Sequence, residues 1–172
     1  FHRDVWGLDV HHGLWEHDVT DHKAASLRLT DMVIDKAQIA EGSQVVDIGC
    51  GYGETARRIV ERKRANVTAM TVSESQARVA QGLTPEGGQP RVLLQDWLEN
   101  DLPDDFADAI VSIECLIHIP DKAEFFRQIR RVLKPGGRAV ITAWLASDSA
   151  TRWQRTFLLE AIVHEMFGHS MG

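Results

Sequence analysis

Gln44–Ile48, followed at once by Gly49-Cys50-Gly51-Tyr52-Gly53, constrains this chain more than any other segment. A short apolar run that ends at glycines reads as a buried parallel strand. The pattern Asp47-x-Gly49-x-Gly51-x-Gly53 then gives the backbone freedom to take φ > 0 and to approach a ligand closely. From Glu54 to Arg64 the apolar positions Ala56, Ile59 and Val60 fall on one helical face. Strand, glycine turn and helix make the opening of an α/β unit, with the helix amides aimed at whatever occupies the turn.

The remainder of the chain repeats that alternation. A helix over 24–39 is predicted from Ala25, Leu29, Met32, Val33 and Ala37, and Glu41-Gly42-Ser43 breaks it. Strands are predicted at Asn66–Val72, Arg91–Gln95, Ala109–Glu114 and Arg138–Trp144. Helices are predicted at Glu74–Gln81, at Lys122–Leu133 with Phe125, Ile129, Val132 and Leu133 inward, and at Thr151–Phe167. Thr84–Pro90 reads as a turn, and Pro135-Gly136-Gly137 as the stop between a helix and the last strand. The fold class is therefore α/β: a mostly parallel sheet with helices on both faces, right-handed crossovers, and ligands at the carboxyl ends of the strands. Residues 1–23, rich in His (2, 11, 12, 17, 22) and carrying Trp6 and Trp15, read as a lid or arm on a domain spanning 24–172.

Composition narrows the function classes. A chain of 172 residues suits one domain with one sizeable core. The net charge of −6, without a basic cluster, argues against a nucleic-acid partner. No apolar run approaches the ~20 residues that span a bilayer, and no secretory signal is evident. Cys50 and Cys115 cannot form a disulfide framework, so a cytoplasmic location is expected. The chain starts at Phe1 and stops at Gly172, and it reads as an excerpt of a longer protein.

A dinucleotide fingerprint would need G-x-G-x-x-G, but here the third glycine comes one residue early and position 54 is Glu, which demotes a nicotinamide or flavin cofactor. Val45–Gly53 instead resembles the first motif of class I S-adenosylmethionine-dependent methyltransferases, and the resemblance runs from about residue 24 to 145. It implies a Rossmann-like methyltransferase fold, S-adenosylmethionine as cofactor and S-adenosylhomocysteine as product. It also implies contacts to the methionine part from Gly49, Cys50 and Gly51, with Asp47 supporting the turn. Most of that family carries a carboxylate at the end of the second strand to hold the ribose. Here Met70-Thr71-Val72-Ser73-x-x-Gln76 has a threonine, similar to tocopherol-methyltransferase-like and cyclopropane-synthase-like enzymes. Thr71, Val72, Ser73 and Gln76 are thus candidate cofactor residues, although Thr71 and Ser73 also suit a helix cap. In Gln95-Asp96-Trp97, the resemblance assigns Asp96 to the adenine amino group and Trp97 to covering the ring; an exposed Asp and a core Trp would look the same in sequence.

Glu114-Cys115-Leu116-Ile117-His118-Ile119-Pro120-Asp121-Lys122 is similar to the Glu…His-Met-Pro-Asp-Lys run of the tocopherol-methyltransferase-like branch. The resemblance implies that Glu114 and His118 sit at the mouth of the site. His11-His12-Gly13-Leu14-Trp15 resembles that branch's cover segment. The implied function is methyl transfer to a small-molecule acceptor by in-line displacement, the cofactor carrying the reactive methyl group. His118 is the first choice of general base, with His12 or Glu114 next. Trp6, Trp15 and Trp97 are candidates for cation–π contact with the sulfonium. No resident metal is expected: the histidines lack Cys partners and regular ligand spacing, and His164-Glu165-x-x-x-His169 is not H-E-x-x-H. Neither cysteine has an evident His/acid partner for nucleophilic catalysis. The alternatives are cyclopropane-synthase-like lipid modification, a non-catalytic cofactor-binding protein, and a nicotinamide enzyme. The family sheet also implies an antiparallel hairpin after the fifth strand, for which this sequence has no counterpart.

Overall fold

In the computed structural model, residues 7–16, 18–83, 90–144, 149 and 151 are described. The expected helix over Thr151–Phe167 beyond its first residue, Trp6, the His164…His169 spacing and most of the Thr84–Pro90 turn lie outside them. Helix α1 (His22–Lys36) opens on Asp21, whose side chain accepts a hydrogen bond from the Ala24 amide at 2.9 Å. Then come β1 (Gln44–Ile48), α2 (Glu54–Lys63), β2 (Asn66–Thr71), α3 (Glu74–Gly82), β3 (Arg91–Leu94), β4 (Ala107–Ile113), α4 (Lys122–Val132) and β5 (Leu133–Thr142). Two single-turn 3₁₀ segments, Trp97–Glu99 and Leu116–His118, follow β3 and β4.

The five strands form one sheet in the order β3-β2-β1-β4-β5, every neighbouring pair parallel. Alternation along β1 sends Val45 to one face and Val46 and Ile48 to the other. The first face packs against α1, α2 and α3 through Leu29, Val33, Ile34, Ala56, Ile59, Ala77 and Ala80. The second is closed by α4 and the Trp97 turn through Phe125, Ile129, Val132 and Trp97. Both faces of β1, β2 and β4 are therefore largely buried, whereas the edge strand β5 is only partly covered. β2 and β3 lie on one side of β1, while β4 and β5 lie on the other. The carboxyl ends of β1 and β4 are thus the topological switch point, where a crevice opens.

The end of α4 corrects the sequence reading. The helix ends at Val132, and Leu133 already pairs with Ala107 as the first residue of β5. Pro135-Gly136-Gly137 does not separate helix from strand but lies inside β5, in a bulge. Ala107 faces Leu133 while Ala109 faces Arg138, so two steps along β4 match five along β5. Pro135 has no amide hydrogen to lose from the ladder, and Gly136 takes φ +81°. The bulge also moves the start of β4 to Ala107, two residues before the expected Ala109.

Phe125 anchors the second face. It is fully buried, packs edge-on against Trp97 and Phe126, and its carbonyl accepts the Trp97 indole N–H at 3.2 Å. Phe125→Ala is expected to destabilise the fold by about 3–5 kcal/mol, read from the midpoint of denaturant unfolding.

Candidate active site

A cavity of about 810 Å³ opens at the switch point. That is within the roughly 300–1,000 Å³ range of small-molecule sites. Its floor is the glycine turn. Gly49, Gly51 and Gly53 take φ of +73°, +54° and +83°, a region that L side chains rarely adopt. Packing makes the same demand at Gly49, where a Cβ would lie 2.3 Å from Cys115 Sγ. The Gly53 amide donates to the Cys50 carbonyl at 2.8 Å, and the Cys50 amide to Met70 at 2.9 Å, tying the turn to β2. Gly53 is the N-cap of α2 and supplies no side-chain cap, so the first amides of α2 stand next to a cavity that Glu54 and Thr55 help to line.

Asp47, at the end of β1, is 2% exposed, and its Oδ2 has no hydrogen-bond partner among the described residues. Burial pushes its carboxyl up to about 7. A buried carboxyl oxygen in a cavity wall calls for a hydrogen-bond donor, and a charged donor satisfies such an acceptor best. Burial likewise pushes the Cys115 thiol up to about 11 and the Cys50 thiol up further, which suits neither to attack as a thiolate.

At the β2 end, the Thr71 hydroxyl donates to Gln76 Oε1 at 3.0 Å and accepts the Ser73 amide at 3.2 Å. Thr71, Val72 and Gln76 line the cavity. Ser73 does not. It is the N-cap of α3, its side chain accepting the Gln76 amide, so it acts here as the cap that the sequence also allowed. Asp96 lines the cavity while one of its oxygens accepts the Leu98 amide at 2.9 Å. Trp97 reaches the wall but is 2% exposed, with its indole N–H held by Phe125, so most of the ring is core.

The opposite wall joins the N-terminal arm to β4. Gly13 lets the arm lie directly on α1: a Cβ there would meet that of Ala25 at 2.3 Å, and the Leu14 amide donates to the Ala25 carbonyl at 2.9 Å. Leu8, Asp9, Val10, His11 and His12 thereby reach the cavity. Glu114, the first residue after β4, takes φ +54°, a strain of about 1–3 kcal/mol for a residue with a side chain. Its Oε2 accepts the His12 amide at 3.1 Å and pairs with His12 Nδ1 at 2.8 Å. His118 also lines the cavity, beside Ile117, Ile119 and Pro120.

Among the described residues, the tryptophan at this mouth is Trp144, not Trp15. Trp144 lines the cavity with its ring 5.0 Å from that of His12, whereas Trp15 is 55% exposed and absent from the wall. Beyond Gly13 the arm turns along the outer face of α1, where Glu16 and Asp18 each pair with Arg28 at 2.8 Å, and this carries Trp15 away. Trp144, Leu8–Val10, Ile117 and Ile119 were not singled out from the sequence, whereas His11 belongs to the segment expected to cover the site; the only signal for Trp144 was its place at the carboxyl end of a predicted strand.

Asp47 makes stability pH-dependent in the ligand-free protein. Its folded value of about 7 lies above the ordinary 3.8, so between the two the native state holds a proton that the unfolded chain has released. Stability from this group is full below about pH 4, falls as pH rises and levels off above about 7. Asp47→Asn is expected to flatten that decline, seen as a smaller drop in Tm between about pH 5 and pH 8 than in the unaltered protein; parallel profiles would contradict the assignment.

Comparison with known proteins identifies the family. A family model described as mycolic acid cyclopropane synthetase matches residues 12–171. The 27-O-demethylrifamycin SV methyltransferase of Amycolatopsis mediterranei is 34% identical over 148 residues, covering 84% of this chain and 54% of that protein. The chloroplastic tocopherol O-methyltransferase of Arabidopsis thaliana is 30% identical over 156 residues, covering 82% of this chain and 45% of that protein. The chain thus spans about half the length of these curated relatives. A crystal structure of mycolic acid cyclopropane synthase CmaA1 complexed with SAH and CTAB superposes with a TM-score of 0.69 at 31% identity, covering 76% of this chain and 47% of that one. With a match over nearly all of its length and the same sheet underneath, this chain belongs to the mycolic acid cyclopropane synthetase family, within the class I S-adenosylmethionine-dependent methyltransferases that its motifs resemble.

Proposed function

We propose that the chain is the cofactor-binding part of an S-adenosylmethionine-dependent methyltransferase acting on a small-molecule acceptor. The observation that carries this reading is the unsatisfied, buried Asp47 Oδ2 beside the uncapped start of α2. An acceptor for an ammonium group and donors for a carboxylate stand together, and that combination suits the methionine end of the cofactor. Thr71, Gln76 and Asp96 supply polar groups along the same cavity for the ribose and the adenine. Gly49, Cys50 and Gly51 form the floor, and Trp97 the edge of the ring pocket.

When bound, the cofactor supplies an activated methyl group on sulfonium sulfur, so the protein's task is to bind, orient and exclude water. The arm over residues 8–12 closes one side of the cavity and acts as the lid. Trp144 provides an aromatic surface at the mouth. Leu8, Val10, Ile117, Ile119 and Pro120 give the acceptor an apolar seat. His118 and the His12–Glu114 pair are the proton-handling groups. Among the described residues no helix is long and apolar enough to cross a membrane. Both cysteines are free, which fits a cytoplasmic location.

A thermal-shift panel tests the cofactor class. S-adenosylmethionine and S-adenosylhomocysteine are expected to raise Tm, and NAD to leave it unchanged; stabilisation by NAD alone would overturn the reading. Asp96→Ala should weaken S-adenosylhomocysteine binding about tenfold in calorimetry, the loss of one charge-assisted hydrogen bond.

A further inference from the structure

The His12–Glu114 contact settles which nitrogen of that imidazole carries hydrogen. Glu114 Oε2 already accepts the His12 backbone N–H at 3.1 Å, and the same oxygen lies 2.8 Å from Nδ1. A carboxylate only accepts, so the ring must donate, and Nδ1 holds the hydrogen. A neutral imidazole protonated at Nδ1 has its lone pair on Nε2. The partners are held from both sides. The Glu114 amide donates to the Thr142 carbonyl of β5 at 2.9 Å, its backbone is fixed at φ +54°, and its side chain is 14% exposed. The His12 ring meets Trp144 edge-on, at 5.0 Å and 76°. Both residues line the cavity.

Resting on the methyl-transfer reading and deepening it, we propose that Glu114 is a positioning residue that acts through His12, locking the imidazole in its Nδ1–H form so that Nε2 takes the proton of the methyl acceptor. In that step the acceptor's heteroatom–hydrogen bond breaks, its electron pair stays on the heteroatom, and the proton joins the Nε2 lone pair to give imidazolium. The charge that develops on the ring lies next to a carboxylate already in place. Glu114 is thereby committed to His12 and is not itself the base. The pair also joins proton transfer to lid position, because His12 belongs to the arm and Glu114 to the sheet.

Long-range ¹H–¹⁵N correlation spectra of the ¹⁵N-labelled protein at about pH 8.5 test this directly, with His12 assigned by the signals lost in His12→Gln. The expected result is the Nδ1–H form for His12 in the unaltered protein, with and without S-adenosylhomocysteine. Glu114→Ala should interchange the Nδ1 and Nε2 shifts as the ring relaxes to Nε2–H. Glu114→Gln keeps an acceptor oxygen and the side-chain length, and should restore a measurable Nδ1–H population. An Nε2–H imidazole in the unaltered protein, or no change in Glu114→Ala with the other histidine signals intact, would overturn the proposal. The same samples separate the two readings. Absence of S-adenosylhomocysteine binding sinks the methyltransferase assignment and leaves the tautomer result standing, whereas binding to a protein with Nε2–H His12 sinks only the positioning role.

Discussion

The parallel pairing of β4 against β1, on the side opposite β2, is the constraint on which the rest of the structure depends. Val45, Val46 and Asp47 register with Ala109, Ile110 and Val111, and the Ser112 hydroxyl donates to the Ile48 carbonyl at 3.2 Å. The chain leaves β1 toward β2 and leaves β4 toward β5, so the connections diverge and cannot cover the space above the junction. Everything with chemical character stands around that gap. Asp47 and the glycine turn come from one strand, and Glu114, Cys115 and His118 from the other. Cys115 Sγ packs where a Gly49 side chain would be, so the two strand ends also set each other's position.

The gap is chemically uneven. On the β1 side it has a buried carboxyl oxygen, Asp47 Oδ2, with no partner among the described residues, and the start of a helix without a side-chain cap. On the β4 side the carboxylate is already satisfied, by a histidine distant in sequence. Asp47 meets burial without compensation and is pushed toward its neutral form. Glu114 meets an imidazole and an amide. Two acidic residues near the carboxyl ends of neighbouring strands thus meet opposite surroundings: one has a buried oxygen with no partner among the described residues, the other is held by an imidazole and an amide.

Much of this was legible in the sequence, and for identifiable reasons. Buried parallel strands are short apolar runs, so Gln44–Ile48 is found with both boundaries as expected. Glycines at 49, 51 and 53 declare the turn because only they sit easily at positive φ. Other features depend on what folding brings together. The pairing of His12 with Glu114 spans 102 positions and has no local signature. Trp15 and Trp144 look alike as sequence, and only the path of the arm over α1 decides which reaches the mouth. Ser73 and Thr71 are both hydroxyls at a strand end, and the cap geometry of α3 separates them. Pro135-Gly136-Gly137 has the composition of a helix stop, yet partnership with β4 draws it into a strand.

That bulge has a consequence of parity. Three residues are inserted between the Leu133 and Arg138 positions of the ladder, and side chains alternate between the two layers with a period of two. Beyond the bulge Val140 belongs to the layer of α1 and α2, and Ile141 to the layer of Phe125. Losing one residue from this stretch would move each later side chain one rung along β4 and exchange the layers, so that Ile141 would take the place of Val140. Thr142, which receives the Glu114 amide, would move out of reach, and Trp144 would be displaced from beside His12. The count of residues in a bulge near the start of β5 therefore sets which side chains the far end of that strand presents to the mouth.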